Sequence, residues 1–267
     1  MSAEVAKCSA FYWAKTDTVS LSRVWAEQAV SCFRRFGLPV REIGFSATLE
    51  GGEWRFDDDA PATLERLASL TPTCTTGGLG IYASRSGELE VFLRWDACAF
   101  IHLSSRYSFL GVTDATPIPL SELGELHLTM IGPIVNPAYG IAYTHPYWLA
   151  PSSYALGLLS GRIATDAKPA AKVYKGAVRL WRIDHSGEQK WLRGWFRDVY
   201  PRQLLNAEHV SVRLPDGRSL LESGVGTFTP SGQDRWWWSV DESELARARE
   251  MLTVASRLLC PPVDGLY

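Results

Sequence analysis

Several signatures that would assign chemistry are missing from these 267 residues. No Gly-x-Ser-x-Gly is present, so no nucleophile elbow is encoded. The five histidines, His102, His127, His145, His185 and His209, share no His-Glu-x-x-His or His-x-His spacing, which removes the short-range zinc motifs. The glycine-rich "TTGGLG" (75–80) lacks the Lys-Ser/Thr of a phosphate loop and leads into a β pattern. A phosphate cradle opens a helix instead, so a plain turn is the simpler reading. Catalytic groups dispersed along the chain would escape such a scan, because triads need not be sequence neighbours.

Cysteine is scarce and odd in number: Cys8, Cys32, Cys74, Cys98 and Cys260, with no Cys-x-x-Cys. That pattern argues against a disulfide framework or a zinc knuckle and predicts reduced thiols. No apolar run approaches the roughly 18 residues of a membrane span. The N-terminal "MSAEVAKCSAFYWAKTDT" has no basic segment followed by an apolar one, so a signal peptide is not expected. Net charge is only −2, too small for a global field that would draw nucleic acid or a membrane. These absences predict a soluble, cytoplasmic protein with no metal and no cofactor.

Tryptophan is what the chain has in excess, eleven in all. Such side chains carry large burial areas and suit cores and interfaces alike. Three stand together in "DRWWWSV" (234–240). On a strand, Trp236 and Trp238 share one face and Trp237 takes the other. Trp236 and Trp238 read as core anchors, and Trp237 as covered by the protein's own other half, since an exposed tryptophan patch is unusual in a monomer.

Periodicity predicts an α+β fold of mixed, mainly antiparallel sheets with a few packing helices. A strand is expected at 9–13, and a helix within 20–37 from Val24, Ala26, Val30, Cys32, Phe33 and Phe36, stopped by Gly37. A hairpin follows at 42–50 and 52–59, then a short helix at 62–70. Strands at 79–85, 88–96 and 99–107 read as a meander, 121–134 as a helix, 138–146 as a strand, and 152–159 as a short helix. Residues 160–177 read as a loop, 178–184 and 190–196 as a hairpin, and 201–210 and 216–224 as short helical or turn elements. A strand, loop and strand at 226–240 precede a final helix from Asp241, where Asp241 and Glu244 have capping-box spacing. Its stripe is Leu245, Ala248, Met251, Leu252, Ala255 and Leu259, closed by Pro261-Pro262. Segments 53–67 and 235–248 echo each other as aromatic strand, acidic cap and amphipathic helix. Two similar halves, 1–134 and 135–267, carry net charges of −5 and +3 and read as one composite unit without a linker.

Two charged clusters stand out. Asp57, Asp58 and Asp59, with Glu50 and Glu53 upstream, lack the register of a calcium loop. Asp59 suits a helix cap before Ala60-Pro61. The others read either as a solvated loop or as a patch for something basic. Between Arg162 and Arg202, ten Lys/Arg against four Asp/Glu are interleaved with Trp181, Trp191 and Trp195. That composition fits either a hairpin with tryptophans inward or a nucleic-acid-binding or adaptor module.

The C-terminal third, from "WFRDVYPRQLLNAEHV" through "GRSLLESGVGTF" to "DRWWWSVDESELARAREML", resembles bacterial immunity proteins of contact-dependent and type VI toxin systems. Those families run from an aromatic-Arg-Asp segment to Pro-x-x-Leu-Leu-Asn/Ser, a tryptophan strand and a last helix. "NPAYGIAYTH" (136–145) is similar to their Tyr-Gly strand. Immunity protein family 52 is the nearest match, most clearly over 195–259. The resemblance implies a non-enzymatic protein that binds a cognate toxin or effector, DNases among them, near its active site. It implies no catalytic residue, and leaves room for a homodimer. Trp195, Arg197, Asp198, Tyr200, Pro201, Leu204, Leu205, Asn206, Trp236 and Trp238 would be structural. The acidic group Glu50, Glu53, Asp57, Asp58 and Asp59 would stand in for phosphates in a contact with the toxin.

Overall fold

The computed structural model describes residues 5–14, 23–47, 54–57, 77–85, 95–103, 105–147, 151–156 and 189–259. The chain forms an α+β fold in two compact units, Met1–Pro137 with Thr144–Trp148, and Ala138–Tyr143 with Leu149–Tyr267. The division falls within one strand.

In the first unit, β1 (Val5–Trp13), β2 (Val40–Ala47), β3 (Trp54–Asp57), β4 (Gly77–Ala83), β5 (Ala97–His102) and β6 (Tyr107–Thr113) form an antiparallel sheet in the order β3-β2-β4-β5-β6-β1. Helix α1 (Arg23–Arg35) buries Trp25, Ala26, Ala29, Val30, Cys32 and Phe33, one stripe at helical spacing. Val24 lies outside that stripe and is exposed, while Trp25 takes the core position. The helix stops as its sequence dictates. Gly37 adopts φ +66°, its N–H donates to Arg34 O, and the Leu38 N–H reaches back to Phe33 O at 2.9 Å, a Schellman closure. Helix α2 (Leu120–Ile131) packs Leu123, His127, Met130 and Ile131 inward and lies against β1 and β6.

Aromatic rings lie against glycines across this sheet. A Cβ on Gly80 would come within 2.8 Å of the Phe100 ring, and one on Gly111 within 2.8 Å of Phe109 and 2.9 Å of Trp95. Trp95 is fixed by its N–H to Tyr147 Oη and by ring packing at 4.8 Å on Tyr147.

Two expectations for this unit change. The segment 99–107 is not one strand: β5 ends at His102, the Ser105 N–H donates to His102 Nδ1, and Arg106 turns with φ +52° into β6. Strand β6 is buried at every position, so it carries none of the alternation that marks a half-exposed strand. Of the strand expected at 88–96, only Trp95 and Asp96 are described and they are not strand, while β4 has β2 and β5 as its neighbours. Trp95 and Asp96 lie in a bend, and 86–94 fall outside the described residues. The same holds for the helix expected at 62–70, the loop at 160–177 and the strand at 178–184.

In the second unit, β7 (Pro137–Pro146) pairs through Gly140–Ala142 with β8 (Arg202–Asn206), followed by β10 (Arg235–Ser239) and β9 (Thr227–Pro230), all antiparallel. Helices α3 (Pro151–Ala155), α4 (Ala207–Val210) and α5 (Leu245–Val254) complete it. Residues 202–206 were expected to be helical or turn. They form a strand because Gln203, Leu204 and Leu205 are all buried between β7 and β10. Lys190–Arg193, expected as strand, is a 3₁₀ turn. Asp241 makes no side-chain cap bond, and the Glu244 carboxylate instead accepts the Gly226 N–H at 3.3 Å. A capping box does form at Ser219 and Glu222, over the 3₁₀ turn Leu220–Glu222. Helix α5 ends at Val254, short of Cys260, and Ser256 turns the chain with φ +54°. Of the tryptophan triplet, Trp237 and Trp238 are buried, and Trp236 is partly exposed where the strand leaves the 231–234 turn.

Gly111→Ala is expected to destabilise the chain by about 1–3 kcal/mol, since ring and indole must both shift. Urea unfolding measures it, and a loss below about 0.5 kcal/mol would contradict this packing.

Candidate functional site

Just ahead of residues 195–259 stands the Lys190–Arg193 turn. Gly194 closes it at φ +72°, where a Cβ would stand 2.6 Å from Glu208 O. Only glycine fits there. The turn delivers Trp195, half-buried, with Lys190 Nζ 5.4 Å and Arg257 Cζ 5.5 Å from its ring centroid. Both contacts are cation–π interactions.

Next come two consecutive buried charges. Arg197 is fully buried, its guanidinium 4.2 Å from the Tyr154 ring and its Nη1 donating to Ala155 O at 3.0 Å. Asp198 Oδ1 accepts from the Val199 N–H at 2.7 Å and from Arg249 Nε at 2.9 Å, while Arg249 Nη2 reaches Asp198 Oδ2 and Val199 O. Burial pushes the Asp198 carboxyl up, and the Arg249 fork, the Val199 N–H and Arg197 pull it down. The bidentate geometry is that of a carboxylate–guanidinium pair.

Gln203 spends both ends of its amide. Its Oε1 accepts the Tyr200 N–H, and its Nε2 donates to Tyr139 Oη at 2.8 Å and to Asp198 O. Asn206 caps α4 by accepting the His209 N–H, and its Oδ1 lies 2.7 Å from His209 Nδ1. His209 stacks on Tyr139 at 5.0 Å with Phe196 edge-on at 4.9 Å, and its Nε2 faces Trp195 O at 3.2 Å. Both ring nitrogens thus face an oxygen, and a neutral ring donates from one of them. Trp238 donates to Val225 O and stacks on Phe228, and Trp237 meets the Arg202 guanidinium at 4.6 Å within the same unit.

These groups hold shape. Arg197, Asp198, Gln203 and His209 are buried and bonded to the fold, so none is aimed at an open site. A second pair looks more like chemistry. Ser108 Oγ and His127 Nε2 lie 2.8 Å apart in the first unit. The Ser108 hydroxyl, however, gives its one hydrogen to Phe100 O at 2.7 Å. His127 Nε2 must then donate, which is the reverse of a general base, and both residues are fully buried. Among the described residues no cluster of three His, Cys, Asp or Glu could hold a metal, and no helix is long and apolar enough to cross a membrane.

Of the expected contact residues, Asp57 ends β3 with its backbone opposite Ile43. Glu50, Glu53, Asp58 and Asp59 lie outside the described residues. The basic stretch is described only from Gln189 onward. Motif reading missed Tyr154, Arg249 and Arg257, because their partners lie far along the chain and no local spacing announces them.

No protein-family model matches the chain, immunity protein family 52 included, and no curated protein matches it. Among solved structures it is similar to the Pseudomonas aeruginosa T6SS protein PA0821, at TM-score 0.46 and 12% identity, over 98% of this chain and 73% of that one. That likeness carries no argument about activity.

Arg249→Met is expected to cost roughly 2 kcal/mol, less than a fully buried pair because Arg249 is partly exposed. Asp198→Asn in the same background should recover part of it, and a double-mutant cycle with no coupling would contradict the pairing. Burial lowers both His127 and His209 to about 3. The unfolded chain takes up those protons near pH 6.5 and the folded chain does not. Stability is therefore complete above about pH 6.5 and falls as pH drops toward 3, by about 1.4 kcal/mol per unit for each histidine. Urea titrations across that window should lose about half of this slope in His209→Gln; an unchanged slope would refute it.

Proposed function

We propose that this chain is an immunity protein, a cytoplasmic binder that neutralises a cognate bacterial toxin of a type VI or related system and catalyses nothing itself. The observation that supports the reading best is the use of the resembling motif. Its chemically capable side chains, Arg197, Asp198, Gln203 and His209, are spent inside the fold on ring, carbonyl and carboxylate partners. A protein built this way offers a preformed surface, and preformed surfaces bind with little ordering cost. The resemblance over 195–259 supplies the class of partner, and a nuclease is the toxin that the acidic group would suit. Glu50, Glu53, Asp57, Asp58 and Asp59 would then present carboxylates where the nuclease expects phosphates.

The gene adjacent to this one is expected to encode the cognate toxin, an unrelated neighbour weakening the reading; cells expressing it are expected to survive only when this chain is co-expressed, and the two proteins to co-purify. Death of the co-expressing cells would sink the immunity reading. Asp57→Asn/Asp58→Asn/Asp59→Asn is expected to weaken toxin affinity by about tenfold or more. Unchanged affinity would clear those residues of the role while leaving rescue intact.

A further inference from the structure

We infer that the surface around Trp195 is a docking site for an acidic protein segment, and, resting on the immunity reading, that the toxin carries that segment. The patch is assembled from two stretches of chain. The Phe196 N–H donates to Arg257 O at 2.8 Å, the Leu259 N–H donates to Phe196 O, and Arg257 Nη1 donates to Arg193 O. This lacing sets Lys190 and Arg257 on one aromatic ring. Trp195, Lys190 and Arg257 are partly exposed, and Arg193 is exposed.

The ion pairs among the described residues are Lys7–Asp114, Arg85–Asp96, Arg218–Asp216 and Arg249–Asp198. Neither Lys190 nor Arg257 is in one of them; their contacts are the indole and a carbonyl. Glu208 of α4, whose backbone carbonyl lies against Gly194, is exposed and forms an ion pair with neither. Among the described residues, two like charges thus lie against one ring without an ion-pair partner, an arrangement that an incoming anion relieves. Arginine forks and lysines both suit carboxylates.

Phosphate is the rival anion, and two observations disfavour it. Single-stranded nucleic acids bind by stacking bases on open aromatic faces, and here the cations already lie over the Trp195 ring. A net charge of −2 also gives no long-range pull on a polyanion. The site is a second toxin contact, opposite in sign to the 57–59 cluster.

The test compares the full chain, Lys190→Glu/Arg257→Glu, and the remote control Arg218→Glu, with thermal melts confirming folding. Lys190→Ala, which removes only the ring contact, serves if the double variant unfolds. Probes at physiological salt are the inactivated product of the adjacent toxin gene, poly-L-glutamate and a thymidine oligonucleotide. The double reversal is expected to weaken toxin binding roughly 100-fold, Lys190→Ala to weaken it by less, and the control to leave it unchanged. Toxin binding untouched by these variants overturns the docking site and leaves the immunity reading standing. If even the unaltered chain binds no toxin, the immunity reading fails, and poly-L-glutamate decides the patch alone. Binding lost in the double variant then supports it, whereas no binding, or tighter binding of the oligonucleotide, overturns it.

Discussion

Two adjacent buried charges, Arg197 and Asp198, set the terms for the second unit. Removing such groups from water costs on the order of several kcal/mol per ion, so each must be matched where it sits. Arg197 is matched by the Tyr154 ring and Ala155 O, which ties the segment to α3. Asp198 is matched by Arg249, which ties it to α5. Their backbone is then fixed for the residues that follow. Gln203 can reach Asp198 O and Tyr139 only from that position, and β8 enters the sheet in the register that sets Leu204 opposite Trp237. The tryptophan strand is downstream of the charge pair in this sense.

The first unit solves its packing by a different route. Gly80 makes room for the Phe100 ring of the neighbouring strand, and Gly111 for Phe109 of its own strand and for Trp95, which Tyr147 holds. The buried polar side chains of this unit among the described residues are serines, threonines and histidines, as with Ser108 and His127, and none is Asp, Glu, Lys or Arg.

Helices α1, with its Gly37 stop, and α2 were legible because one face of each meets water; the antiparallel β2–β3 pair and β7 also fall where the sequence placed strands. Strands β6 and β8 were misread because burial on both faces erases alternation. The capping box at Asp241 failed for another reason: the Glu244 carboxylate has a tertiary claim on it from the Gly226 N–H. Trp237 and Trp238 are buried as expected, but Trp236 is partly exposed, because alternation assigns faces without saying how far along a strand each face is covered. The structural use of Arg197 and Asp198 was anticipated by resemblance alone. Their partners Tyr154 and Arg249, and the Arg257 side of the Trp195 patch, depend on contacts between distant stretches that no local pattern encodes.

The proposed immunity role asks the buried network to hold its shape while exposed residues meet the toxin. Hydrogen exchange of the chain, free and mixed with the product of the adjacent toxin gene, tests that most directly. The account predicts added protection in exposed stretches, 189–195 and 256–259 among them, with amides of 196–206 unchanged because the buried network already holds them. No added protection at any amide, or loosening of 196–206 on mixing, would contradict it.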